Sequence, residues 1–287
     1  MRSTDRSLTL ELHNLTLNKV FKVNKKQPYR LLSITGLGAS GYDVALMSHA
    51  IQDGAVVTNS RLKERYIPIQ LECSDYDKSV ELRDELIRFI SPAHRYTLYA
   101  ERSGIKRRID CRVNNFSFDP PNIHDYYVTD FELLCPNPYF MDEKNTTQRF
   151  LTFAPMMSFP LAFPPAGMTT GVPLILDGMP IDNIGDVPFG VIVNIEAYGG
   201  DMVNPMISCD DEYIRVKTTL KTGDIMQIDT RPKNKGVYIN GVSTFMFERT
   251  SRFFRIEPGR SNLQISADEG VGNAQTYIEY TNLWLGV

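Results

Sequence analysis

The sequence predicts a mainly β protein with one notable helix, arranged in two domains. Three observations predict this. The 287 residues exceed what one hydrophobic core usually organises, so two domains are expected. Period-two alternation of apolar and polar residues recurs along the chain, bounded by Gly, Pro, Asn and Asp. A single stretch, Asp75 to Ile90, carries a convincing helical period.

Leu8 to Leu17 alternates imperfectly and reads as a first strand, and Leu31 to Gly38 as a strand followed by a turn. Gly36 to Gly41 is rich in glycine but lacks the Gly-Lys-Ser/Thr ending of a phosphate loop, so a flexible loop is expected. Ala55 to Thr58 and Arg65 to Leu71 are strand-like, with the charged run Arg61 to Arg65 between them as a solvated hairpin tip. Pro68 cannot donate to a sheet ladder, which argues for an edge or a bulge. In the helix, Leu82, Leu86, Phe89 and Ile90 form one apolar stripe, Ser74 or Asp75 can cap the start, and Ser91-Pro92 stops it. Arg95 to Ala100, Ile105 to Phe116 and Tyr127 to Leu134 follow as strands. Lys106-Arg107-Arg108 reads as a solvated strand or hairpin end.

Five prolines between Phe153 and Pro173 act as a semi-rigid spacer. Met156, Met157, Phe159 and Phe163 among them are expected to pack along a domain. Beyond the spacer, Gly190 to Ala197 alternates with Val191, Val193 and Ile195 on one face. The densest run of strand signals is Tyr213 to Val287. Tyr213 to Lys217 and Ile225 to Asp229 alternate around the turn Thr222-Gly223-Asp224. Asn240-Gly241 then separates Val237-Tyr238-Ile239 from Val242-Ser243-Thr244. Asn-Gly between strand-like runs is the strongest short hairpin signal, because a type I′ turn needs positive φ at both central residues. Leu263 to Ser266 and Thr276 to Tyr280 close the series as strands.

Composition limits the function classes. The net charge of −3 gives no support for a general nucleic-acid surface. No apolar run approaches ~20 residues, so no membrane helix is expected. Met1 to Thr9 lacks the apolar core of a signal peptide, and folding in a cytoplasm is expected. Cys73, Cys111, Cys135 and Cys209 are far apart in sequence, without a CxxC pair, and read as reduced, buried thiols. His13, His49, His94 and His124 are scattered, and no GxSxG, HExxH or Walker sequence is present. Asp177, Asp182, Asp186, Asp210, Asp211 and Glu212 do not have EF-hand spacing. No catalytic, cofactor-binding or metal-binding residue is assigned, and no enzyme is expected.

Gly223-Asp224 with Ile228-Asp229-Thr230, Gly236, Asn240-Gly241, Ile256-Glu257-Pro258-Gly259, and Tyr280 with Trp284-Leu285-Gly286-Val287 together form an ordered pattern. This pattern resembles the C-terminal domain of the distal tail protein of siphophages, phages with long non-contractile tails. Cys135-Pro136-Asn137-Pro138-Tyr139-Phe140 is similar to the end of that family's N-terminal domain. Phe159 to Pro164 is similar to its interdomain stretch.

The resemblance implies an N-terminal, β-sandwich-like, ring-forming domain over residues 1–150. It implies a C-terminal galectin-like β-sandwich over 151–287, with the Pro-rich joint at 153–173. It further implies a structural virion protein at the tail tip, made in the host bacterial cytoplasm. Such a protein forms a homohexameric ring around the DNA channel. It joins the tail-tube protein to the tail-associated spike or lysin protein, and in the tail tip it neighbours the receptor-binding protein. An extended hairpin embraces the next subunit, and Arg61, Leu62, Arg65 and Tyr66 are the residues expected at that contact. The alternative is a carbohydrate-binding module for host surface glycan, invited by the galectin-like outline.

Overall fold

The computed structural model describes residues 8–23, 28–48, 53–73, 78–117, 128–150, 153–155, 171–173 and 178–287. Strands dominate, and the chain divides into two compact units, Met1–Glu143 with Leu283–Val287, and Lys144–Asn282.

In the first unit the strands are β1 Leu8–Asn14, β2 Lys19–Val23, β3 Tyr29–Ile34, β4 Tyr42–Ser48, β5 Ala55–Leu62 and β6 Arg65–Cys73. After helix α1 Ser79–Phe89 come β7 Tyr96–Arg102, β8 Ile105–Ser117, β9 Val128–Cys135 and β10 Phe140–Asp142. Seven of them form an antiparallel sheet in the order β2-β1-β7-β8-β9-β6-β3. Strand β8 is 13 residues long. Its first half pairs with β7 and its second half with β9, across an irregularity between Val113 and Asn115. One strand thus serves both halves of a sheet that wraps a single core. Leu10, Leu98, Ile109, Ile67 and Leu133 alternate into that core, and the stripe of Leu86 and Phe89 in α1, with Ile90 just past its end, covers it. The stripe is the one expected. The residues proposed to cap the helix, Ser74 and Asp75, lie outside the described residues.

Three details differ from the sequence expectation. The first strand stops at Asn14 rather than Leu17, because the Asn14 Oδ1 accepts the amides of Thr16 and Leu17 at 3.0 and 2.9 Å. Pro68 lies in a strand paired on both sides. Its carbonyl accepts the Thr35 amide at 3.3 Å, just past the end of β3, so its missing donor falls where that ladder has closed. The loop at Gly36 is fastened, not free. Gly36 has φ +82°, and a Cβ there would sit 2.3 Å from the Tyr66 carbonyl oxygen, so only glycine allows this approach.

The second unit contains β11 Thr146–Phe150, β12 Phe153–Pro155, β13 Gly171–Pro173, β14 Met179–Asn183, β15 Ile192–Ala197, β16 Met202–Val203 and β17 Met206–Cys209. It continues with β18 Glu212–Arg215, β19 Thr219–Leu220, β20 Ile225–Asp229, β21 Gly236–Ile239, β22 Val242–Thr244, β23 Gly259–Ser266 and β24 Ala274–Tyr280. Two antiparallel sheets carry it, β11-β24-β15-β20-β21-β22 and β14-β23-β17-β18. Each turns an apolar face inward: Val193, Ile195, Ile228 and Ile278 from the first, Ile181, Ile207 and Leu263 from the second are fully buried. The Asn240-Gly241 turn has φ of 49° and 79°, the two positive values a type I′ turn requires. It joins β21 and β22 as expected. Met156, Met157, Phe159 and Phe163 of the Pro-rich joint lie outside the described residues.

Candidate functional site

Two features of the first unit stand out: a hairpin of its own and a buried arginine. Among the described residues, strands β4 and β5 pair only with each other, from Tyr42↔Leu62 to Ser48↔Ala55. Paired residues share a face. One face therefore carries Tyr42, Leu62, Val44, Leu46 and Val57, and the other carries the ion pair Arg61–Asp43 at 2.9 Å. Tyr42, Leu46 and Val57 are 60%, 62% and 59% exposed. A lone two-stranded hairpin is marginal in water, and this one shows an apolar face to solvent. The arm is anchored at its base, where the Lys63 amide donates to the Gly41 carbonyl at 2.9 Å and the Ser40 hydroxyl to the Lys63 carbonyl at 3.3 Å.

Of the four residues expected at a subunit contact, the structure leaves three near the surface. Arg61 is on the arm, Leu62 is half-buried at its base, and Tyr66 is exposed on β6 with its hydroxyl 3.4 Å from Glu64. The arm's far end is therefore not at Arg61 to Arg65; that run leads from β5 into β6. Arg65 is 2% exposed and points inward. Its guanidinium donates to the carbonyls of Gly36 at 2.6 Å, Pro138 at 2.8 Å, Leu285 at 2.7 Å, and Gly38. It also lies 4.9 Å from the centre of the Phe140 ring. Burial pulls its pKa below the ordinary value, but arginine keeps its charge. Sequence reasoning missed Tyr42, Val44, Leu46 and Val57. The available signal was the apolar content of two strand-length runs on either side of residues 49–54.

Arg65 meets the last five residues of the first unit, which form a second knot. Leu283 and Trp284 pair with Met141 and Phe140 of β10. The Trp284 indole donates to Asp142 at 2.8 Å, and the Arg107 guanidinium stacks 3.8 Å from its ring centre. Arg107 also donates to the Gly286 carbonyl, and the Val287 amide to the Leu37 carbonyl at 2.9 Å. The basic run Lys106 to Arg108 is thus half-buried and engaged rather than solvated.

Lys106 joins a charge cluster on the sheet. Glu11 receives Lys22 at 2.9 Å, Lys106 at 3.1 Å and His13 at 3.3 Å. Burial alone would raise its pKa, but these partners outweigh it and hold the carboxyl at about 2, against an ordinary 4.5. A depressed carboxylate stabilises the fold fully above its unfolded pKa and loses that effect as pH falls through the folded one. Stability is therefore expected to fall between pH 4.5 and 2. A Glu11→Gln variant should show a shallower decline over that window in urea titrations. Parallel curves for the two proteins would refute the assignment.

A shallow cleft of about 330 Å³ lies over β3, β6 and β9, lined by Thr35, Gln70, Asn115, Asp130 and Glu132 among others. Among the described residues no group of three His, Cys, Asp or Glu side chains is placed to hold a metal ion.

Two β units, the first carrying the β4–β5 arm, make up the described fold. The fold aligns with the Dit protein of phage SPP1 (gp 19.1), described as a paradigm of the hub adsorption apparatus in phages infecting Gram-positive hosts. The TM-score is 0.66 at 11% identity, over 96% of this chain and 99% of that one. It also aligns with a chain of the phage P2 baseplate in its activated conformation with calcium, at TM-score 0.50 and 14% identity, over 95% and 98% of the two chains. These likenesses establish the fold. Residues 184–284 match the family of the siphovirus-type tail component, C-terminal domain. No curated protein sequence matches the chain. Over residues 184–284 the chain resembles a siphovirus-type tail component.

Proposed function

We propose that the chain forms a homohexameric ring at the tip of a long non-contractile tail. The ring surrounds the DNA channel and joins the tail-tube protein to the spike or lysin protein, with a receptor-binding protein as a further neighbour. The first unit builds the ring. The second, read as a galectin-like sandwich, projects from it. The observation that carries this reading is the β4–β5 arm, whose exposed apolar face needs cover that the described residues of the first unit do not supply. Closed rings need heterologous contacts, in which one patch meets a different patch on the next copy. An arm reaching from one subunit to the next is such a contact. Arg61, Leu62 and Tyr66 stand along its base and in the strand that follows. Arg65 serves it from inside, by holding the loop from which the arm rises. The fold match to a hub protein supports the same reading.

Light scattering of the purified chain is expected to give six times the 32.6 kDa chain mass. Leu46→Asp with Val57→Asp, both on the exposed face, should abolish the ring and leave the circular dichroism spectrum unchanged. A ring that survives the double substitution would remove the arm from the contact. A chain that stays monomeric and binds glycans on an array would instead establish a sugar-binding module.

A further inference from the structure

Two of the four cysteines meet in the fold. The register of β8 and β9 pairs Arg112 with Leu134 and Val113 with Leu133. One step further along both strands sets Cys111 opposite Cys135. The alternation that buries Val113 and Leu133 buries both cysteines on the same face, at 4% and 0% exposure. Opposed residues of an antiparallel pair have Cα atoms about 4.5–5.5 Å apart, inside the range of about 4.4–6.8 Å that a disulfide spans. Both thiols are free. The other two are placed elsewhere: Cys73 lies opposite Tyr29 on β6, and Cys209 is in the second unit.

We propose that Cys111 and Cys135 are a latent cross-strand disulfide, open in a reducing compartment and closed by a small-molecule disulfide such as oxidised glutathione. The thiolate of one cysteine attacks a sulfur of the oxidant, whose S–S bond breaks and releases one small thiol. The second cysteine, giving up its proton, then displaces the other small thiol. One protein S–S bond forms, and two electrons and two protons pass to the oxidant. Cys135, burial and the charge of Asp110 hold the Cys111 thiol well above its ordinary pKa. Closure is therefore slow at neutral pH and faster as pH rises, since the thiolate is the attacking species. The bond itself does not depend on the proposed tail function. Only its use does: a tail-tip protein is built in reducing cytoplasm and works outside it.

The test is to incubate the full chain with oxidised glutathione at pH 8.5 and measure the intact mass. Peptide mapping then follows without reduction. The expected result is a loss of two hydrogens and a peptide linking Cys111 to Cys135. The thermal midpoint should rise by about 5 °C, because the loop is closed in the unfolded chain. Reduction should reverse both. Cys111→Ala and Cys135→Ala, each conservative in a buried apolar position, should each abolish the mass change while remaining folded. Four titratable thiols after oxidation and denaturation would overturn the proposal. So would glutathione adducts alone, or a bond to Cys73 or Cys209. The oligomeric mass, measured before and after oxidation, keeps this outcome separate from that of the ring.

Discussion

Deleting Leu283–Val287 is expected to unfold the first unit selectively. The five residues belong to that unit although the whole second unit precedes them in sequence. Their loss removes the pairing with β10, the Trp284 ring beneath Arg107 and the carbonyls that Arg65 and Arg107 reach. Loss of a fully buried large aromatic to alanine costs about 3–5 kcal/mol; Trp284 is partly buried and contributes less, but the buried Arg65 and the half-buried Arg107 lose acceptors besides. A loss of about 5 kcal/mol corresponds to a fall of roughly 10–20 °C in midpoint for a unit of this size. Hydrogen exchange is the direct readout. Amides of β1, β6, β7 and β9 should lose protection while those of β15, β20 and β24 keep theirs. Equal protection with and without the five residues would show that the knot contributes nothing.

The second large effect is expected at Arg65. Leucine there leaves four carbonyl acceptors without their donor: Gly36, Gly38, Pro138 and Leu285. A buried acceptor left unsatisfied costs about 1–3 kcal/mol before relaxation, and these four residues are partly buried or, at Gly38, exposed, so each is expected at or below the low end. A total of up to about 4 kcal/mol is expected. Arg65→Lys should recover only part of it, because an ammonium cannot fork to acceptors on three sides of a planar group. Trp284 is the only tryptophan and lies in this unit, so its fluorescence during urea unfolding reports the change. A shift below about 1 kcal/mol for the leucine variant would show that solvent or neighbouring groups replace the guanidinium. The ring should weaken in parallel, because the loop under the arm at Gly36 to Gly38 hangs on this side chain.

Local chemistry made much of the fold legible. Asn240-Gly241 specified its turn, since two positive φ values in sequence leave few alternatives. Leu82, Leu86, Phe89 and Ile90 specified the helix and its buried face. Val191, Val193 and Ile195 specified a strand and which of its sides is inside. The pattern around Gly223, Gly236 and Pro258 gave the last third of the chain its resemblance to siphophage tail components, and residues 184–284 match a domain of that kind.

Long-range pairing decided the rest. Arg61 to Arg65 is uniformly polar apart from Leu62, and nothing local separates Arg61, ion-paired on an exposed arm, from Arg65, buried under four carbonyls. Pro68 reads as an edge residue until β3 is seen to end beside it. Tyr42, Leu46 and Val57 look like core residues by composition, and they are exposed because no third strand among the described residues lies beside β4 and β5. Cys111 and Cys135 are distant in sequence and opposed in register. Periodicity tells which residues of a strand share a face. Which strand lies beside it, and what the face then meets, depends on contacts between residues far apart in the chain, and those exist only once the sheet has closed.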